Sequence, residues 1–143
     1  MLVDIGVNLT NSRFDKDRPL IVENAIAAGV SHMLLTGTCV SSSQASLSLC
    51  QQYPKNLACT AGVHPHDADH VSEDYLSQLS QLAQSSYVKA IGECGLDFNR
   101  NFSTPDNQQR VFQAQVQLAE QLNLPLFLHQ RDAFEPWLAA LLP

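Results

Sequence analysis

The stretch Ile91-Gly92-Glu93-Cys94-Gly95-Leu96-Asp97-Phe98 decides how the rest of the chain is interpreted. It follows a short apolar run at 87–91, and a second apolar run at 124–128 ends in the polar segment His129-Gln130-Arg131-Asp132. A helical pattern lies between the two runs, and a strand–helix–strand succession predicts a right-handed crossover between parallel strands. Glu93 and His129 are therefore expected at the same edge of a sheet. A carboxylate oxygen and an imidazole nitrogen at strand ends are metal-ligand chemistry.

Apolar runs and helical patterns alternate along the whole chain. Strands are predicted at 2–7, 32–36, 57–63, 88–92 and 126–129. Helices are predicted at 15–28, 42–52, 72–84, 104–122 and 134–142. Four residue types that begin or end helices support these boundaries: Ser41 or Ser42, Ser72, and Thr104 followed by Pro105 as starts, and Gly29 as a stop.

Five βα units with continuously apolar strands predict an α/β fold whose parallel sheet is covered by helices. Two architectures fit: an open doubly wound sheet, or part of a (β/α)₈ TIM barrel. No GxGxxG or GxxxxGK[ST] motif follows any strand, so the sequence gives no support for Rossmann-type or P-loop nucleotide binding. A full barrel takes eight units and about 250 residues, so five units are an incomplete barrel. No linker interrupts residues 1–143, which predicts one domain.

Composition excludes several classes of protein. With 45% hydrophobic and 15% charged residues, the chain is predicted to be globular rather than disordered. Its formal net charge of -6 argues against binding nucleic acid through a broad basic surface. No apolar run reaches the roughly 20 residues of a membrane helix, and no basic n-region precedes Leu2. A cytoplasmic protein with four free cysteines, rather than a disulfide framework, is expected.

Four strand ends carry polar residues, each with two possible interpretations. Asn8 could offer an oxygen to a hard cation or satisfy backbone groups. His64 and His66 flank Pro65, which stiffens the loop, and either face a pocket or are exposed. Glu93 lies in a dense Gly-Glu-x-Gly-x-Asp cluster, which favours a site over a surface carboxylate. His129 is a core histidine or, paired with Glu93 through consecutive βα units, a ligand.

Four segments in order resemble one known family: Asp-Ile-Gly-Val-Asn-Leu-Thr at 4–10, Ala-Gly-Val-His-Pro-His at 61–66, Ile-Gly-Glu-Cys-Gly-Leu-Asp-Phe-Asn-Arg at 91–100, and His-x-Arg-Asp-Ala at 129–133. They look like the TatD deoxyribonucleases, metal-dependent hydrolases on an amidohydrolase-like TIM barrel. The resemblance covers nearly the whole chain. It implies the N-terminal portion of such a barrel, with Glu93 and His129 as metal ligands and two further ligands on later strands.

The activity implied by this resemblance is metal-dependent hydrolysis of DNA phosphodiester bonds, by a 3′–5′ exonuclease acting on single strands or frayed ends. Glu93, His64 and His66 are the expected catalytic residues. Asn8 is a third candidate metal ligand, and the candidate phosphate-binding residues are Arg100 and Arg131. Mg²⁺ suits the oxygen ligands, whereas Zn²⁺ or Mn²⁺ suits the histidines.

Two alternatives to a nuclease stay open from the sequence. The same barrel and metal could hydrolyse an ester or amide, such as an aminoacyl-tRNA linkage. A five-unit chain could also be an inactive fragment that only self-associates through its exposed strand edges. Phe98 and Phe102 beside Arg100 favour a nucleic-acid groove, because bases stack on aromatic side chains.

Overall fold

Five parallel strands follow one another in a single sheet in the order of the sequence. The computed structural model describes residues 1–143 and gives the strands as β1 (Leu2–Val7), β2 (Val30–Leu35), β3 (Leu57–Ala61), β4 (Val88–Asp97) and β5 (Leu126–Arg131). A doubly wound sheet reverses its strand order at a switch point, whereas a barrel keeps consecutive order. The sheet therefore confirms the α/β fold with five βα units of a barrel, and the barrel is incomplete in this chain.

Five helices connect and follow these strands: α1 (Arg18–Ala27), α2 (Val40–Gln52), α3 (Tyr75–Leu82), α4 (Pro105–Leu122) and α5 (Phe134–Leu141). A short 3₁₀ helix at Pro65–His70 follows β3. The main core comprises 19 buried residues contributed by the strands and helices, and a smaller cluster joins Cys94, Leu96, Phe112 and Ala133. None of the helices combines the length and the apolar character that crossing a membrane would take.

Helix boundaries agree with the sequence where the capping residue is a common one. Thr104 accepts the backbone N–H of Asn107 and Pro105 opens α4, as predicted. Gly29 ends α1 with a φ of +95°, a conformation that favours glycine. The start of α2 was predicted wrongly, because Cys39 caps it and Ser42 is the reciprocal partner three residues later. Cysteine is not among the usual N-caps.

The start of α3, in contrast to that of α2, was predicted too early. Asp74 precedes the first residue of α3, and the Ser72 hydroxyl donates to the Asp74 carboxylate at 2.7 Å. Ser72 therefore supports the turn before the helix rather than capping the helix.

The two strands that carry the candidate ligands run further than predicted. β4 continues to Asp97 and β5 to Arg131, because the glycine-rich segment stays paired: Gly95 lies opposite His129 and Asp97 opposite Arg131. The predicted strand at 88–92 stops before these residues. The consequence is that Glu93 and Asp97 lie within a strand, so the sheet fixes their backbone.

Two buried glutamines one heptad apart on α4 hold the ends of two strands. Gln115 accepts the backbone N–H of Val63 at 2.8 Å and donates to its carbonyl oxygen at 3.0 Å. Gln108 does the same for Asp97, at 2.9 and 3.1 Å. Each amide thus satisfies a backbone donor and a backbone acceptor inside the protein. Helix α4 therefore positions the segments that carry His64 and Asp97.

We expect Gln115→Leu to destabilise the protein, because it leaves the buried N–H and carbonyl of Val63 without partners. An unsatisfied buried group costs about 1–3 kcal/mol, and the loss would appear as a lower free energy of unfolding in urea. Gln113→Leu, at an exposed position of the same helix, is the matched control and should change little. Equal stability of the two variants would contradict the role given to Gln115.

Candidate metal site

The pairing of β4 with β5 places His129 between two carboxylates. Glu93, Gly95 and Asp97 alternate with Cys94 and Leu96, whose side chains are buried in the smaller hydrophobic cluster. His129 lies opposite Gly95, the residue between the two acids. Its Nδ1 is 3.3 Å from Glu93 Oε1, and its Nε2 is 2.9 Å from Asp97 Oδ2.

Glycine at position 95 makes this approach of the two strands possible. Its φ is +150°, and a Cβ built there would collide with the backbone carbonyl oxygen of His129. Any other residue would force β5 away from β4. The Gly in the Glu-Cys-Gly segment thus has a steric function at the site itself.

His64, three residues after the end of β3, presents a hydrogen-bond donor to the same site. Its Nδ1 accepts the backbone N–H of His66 at 3.1 Å, and its Nε2 is 3.9 Å from Glu93 Oε1. Burial, followed by the nearby His66 and His129, lowers the pKa of His64 to about 3. The imidazole is therefore neutral near pH 7, and a neutral ring that accepts at Nδ1 carries its proton on Nε2.

Three side chains bring together nitrogen and oxygen atoms of the kind that coordinate a divalent cation. The donor atoms of His64, Glu93 and His129 lie within 4.8 Å of one another. Two neighbouring ligands about 2.1 Å from one metal ion are about 3 Å apart, which fits the Glu93–His129 pair. Burial raises the pKa of Glu93, and a cation would offset that cost of its charge. His64 fits less well as a ligand, because its Nε2 carries the proton.

His66 and Arg100 lie beside this group and extend it towards Phe102. His66 Nε2 is 3.9 Å from Asp97 Oδ2, and its buried Nδ1 has no partner. The rings of His66 and Phe102 meet edge to face with centroids 4.8 Å apart. The Arg100 guanidinium lies over the Phe102 ring at 4.8 Å. Aromatic and cationic side chains thus extend outwards from the candidate metal site.

Two residues singled out from the sequence are not joined to the cluster by hydrogen bonds or ion pairs. Asn8 follows β1, which two intervening strands separate from β4, and it is exposed. Arg131 is exposed at the end of β5, where its backbone carbonyl accepts the N–H of Phe98 at 3.0 Å. Their proposed roles, unlike those of Glu93 and His129, have no direct contact in their favour.

Asp97 is a site residue to which sequence reasoning gave no role. It is buried, with 1% exposure, and its carboxylate contacts His129. Burial opposes its charge, but hydrogen bonds from the Arg100 backbone and from His129 lower its pKa below the usual value. The signal was the i, i+2, i+4 spacing from Glu93, which places side chains on one face only if the segment is a strand.

Comparison with known proteins shows one family along the chain. The family described as TatD related DNase matches residues 3–142. Among curated proteins, the 3′–5′ ssDNA/RNA exonuclease TatD of Salmonella typhimurium is 54% identical over 142 residues, which are 99% of this chain and 54% of that protein. The protein of the same name from Pectobacterium atrosepticum is 50% identical, over 99% of this chain and 55% of its own length.

Solved structures agree with this comparison. A TatD family hydrolase from Entamoeba histolytica superposes with a TM-score of 0.89 at 27% identity, covering 96% of this chain and 52% of the other. The TatD homologue YJJV from Escherichia coli K12 gives 0.85 at 27% identity, with 95% and 53% coverage. The chain thus spans about half the length of the proteins that it matches.

We expect the low pKa of His64 to make the protein lose stability in acid. A histidine kept neutral by folding contributes stability above its unfolded pKa of about 6.5, and that contribution is lost as the pH falls towards the folded value. Between pH 6.5 and 5, this effect lowers the free energy of unfolding by at most about 1.4 kcal/mol for each unit that the pH falls. Urea unfolding at several pH values should show that the free energy of unfolding falls less steeply with decreasing pH in His64→Gln than in the wild type. An identical pH dependence would contradict the prediction.

Proposed function

Because this chain belongs to the TatD related DNase family, we propose that it carries out metal-dependent hydrolysis of phosphodiester bonds in DNA, as a 3′–5′ exonuclease. The observation that carries the proposal is the approach of Glu93 and His129 to 3.3 Å at the end of the sheet. The curated relatives, named as ssDNA/RNA exonucleases, support the reaction and its direction. Since the chain spans about half their length, activity and substrate are both proposals.

In this proposal Glu93 and His129 hold the cation through one carboxylate oxygen and Nδ1. Asn8 would add an amide oxygen from the end of β1. When bound, a divalent cation draws charge from the phosphoryl oxygens and acidifies a water molecule. Mg²⁺ is the proposed ion because two of the three ligands are oxygens, and the imidazole also accepts Mn²⁺ or Zn²⁺.

His64 and His66 supply the protons and donors around the phosphate. The Nε2–H of His64 points to the Glu93 edge, where it would donate to a phosphoryl oxygen or to the leaving oxygen. His66 lies next to it, with ring centroids 4.3 Å apart. Arg100 and Arg131 would neutralise phosphate charge with their guanidinium groups.

A single strand or frayed end is the proposed form of the substrate. Phe102 is 57% exposed and lies beside His66, so an unstacked base can reach its ring. No contact in the structure favours the ester or amide substrate that the sequence also allowed. The cytoplasmic location and the single domain over residues 1–143 stay predictions.

The proposal is tested with 5′-labelled single-stranded DNA in Mg²⁺. We expect progressive shortening from the 3′ end, loss of activity in excess EDTA, and a fall in kcat/KM of at least about 100-fold in Glu93→Gln, because the variant removes a ligand charge. Glu120→Gln, exposed on α4, is the matched control and should behave as the wild type. Full activity in Glu93→Gln or in EDTA would refute the mechanism.

A further inference from the structure

We propose that Asp97 is a positioning residue that fixes the tautomer of His129, so that the Nδ1 lone pair of the ring faces the cation position beside Glu93. The inference rests on the proposed function, since it takes Glu93 and His129 as the residues that hold a metal ion. It adds a residue and a role that the ligand set does not contain.

The hydrogen bond between Asp97 and His129 has a defined direction. Asp97 Oδ2 is 2.9 Å from His129 Nε2. An ionised carboxylate only accepts, so Nε2 carries the proton and donates it. In a neutral imidazole Nδ1 is then the nitrogen with the lone pair. That nitrogen is the one 3.3 Å from Glu93 Oε1.

The Asp97 carboxylate has little freedom to turn. Its Oδ1 accepts the backbone N–H groups of Asn99 and Arg100 at 3.1 and 2.9 Å. Its own backbone N–H and carbonyl are held by the Gln108 amide on α4. Only Oδ2 is left to face the site, so the orientation of the carboxylate is inherited from the helix. A hydrogen-bonded carboxylate behind a metal-bound histidine orients the ring and raises its basicity.

Asp97 also has a local role in its own turn, and a substitution can separate that role from the contact with His129. Through Oδ1 alone, Asp97 already stabilises the turn at 97–100, and an asparagine would keep that acceptor. At the place of Oδ2, however, asparagine presents an N–H group. Its donor would face Nε2, and the ring would then carry its proton on Nδ1, where the metal should bind. Asp97→Asn therefore preserves the turn and reverses the tautomer.

The experiment measures the tautomer and metal affinity without any nuclease assay. At a pH where the spectra show a neutral His129 ring, long-range ¹H–¹⁵N spectra of histidine-labelled wild type should show that ring protonated on Nε2 and bare at Nδ1, with the signal assigned by its loss in His129→Gln. In Asp97→Asn the proton should move to Nδ1. Titration with Mn²⁺ alone, followed by the electron paramagnetic resonance of the free ion, should show a dissociation constant raised about 10- to 100-fold.

Asp106→Asn is the matched control, because it makes the same change at an exposed position in the first turn of α4. It should leave both the tautomer and Mn²⁺ affinity as in the wild type. A neutral His129 ring that carries its proton on Nδ1 rather than on Nε2 in the metal-free wild type would overturn the proposal even if Asp97→Asn failed to fold. An Mn²⁺ affinity within twofold of wild type in a folded Asp97→Asn would overturn it too.

The result is also distinguishable from a failure of the proposed function. If the chain degrades no DNA but Asp97→Asn shifts the tautomer and weakens Mn²⁺ binding, the nuclease proposal fails and the role of Asp97 stands. If DNA is degraded with metal and Asp97→Asn changes neither readout, the role of Asp97 fails and the nuclease proposal stands.

Discussion

The candidate site depends on one constraint, the register that sets His129 opposite Gly95. Because Gly95 lies between Glu93 and Asp97 on one face of β4, the ring across from it receives a carboxylate at each nitrogen. A slip of one residue would turn the imidazole to the helix side of the sheet. The close approach of the two strands requires that position 95 carry no side chain. Register and glycine together bring two sequence motifs into one site. Asp97 and His129, which share a hydrogen bond there, are 32 residues apart in the chain.

Helix α4 extends this constraint from the sheet to the whole layer around it. Gln108 and Gln115 are almost fully buried, at 1% and 0% exposure, although glutamine is usually a surface residue. Each forms two hydrogen bonds to the backbone of one strand-end residue, so neither amide is left unsatisfied. Gln115 binds Val63, the residue next to His64, and Gln108 binds Asp97 itself. The helix thus sets the separation between His64, which follows β3, and the candidate ligands on β4 and β5.

The sequence predicted most of the fold because its strands are continuous apolar runs, helical patterns separate them, and α4 has ordinary capping residues. It also predicted that Glu93 and His129 would meet, because consecutive parallel strands end at one edge. The length of β4 could not be predicted, since glycine weakens a strand and only the close approach of the partner strand explains Gly92 and Gly95 within it. Missing the strand meant missing Asp97, whose face depends on it. The Cys39 cap and the buried glutamines were likewise invisible, because tertiary contacts rather than local propensity determine them.

The chemistry of the site follows from two histidines whose second nitrogens have opposite partners. Behind His129 stands the Asp97 carboxylate, an acceptor, so its ring donates backwards and turns a lone pair to Glu93. Behind His64 stands the backbone N–H of His66, a donor, so its ring accepts backwards and turns a proton to the same carboxylate. In the proposed reaction, one imidazole would bind a cation and the other would donate to an anion. A phosphate oxygen next to a metal ion would require both, and the difference between the rings arises from the partners of their second nitrogens, the Asp97 carboxylate and the His66 backbone N–H.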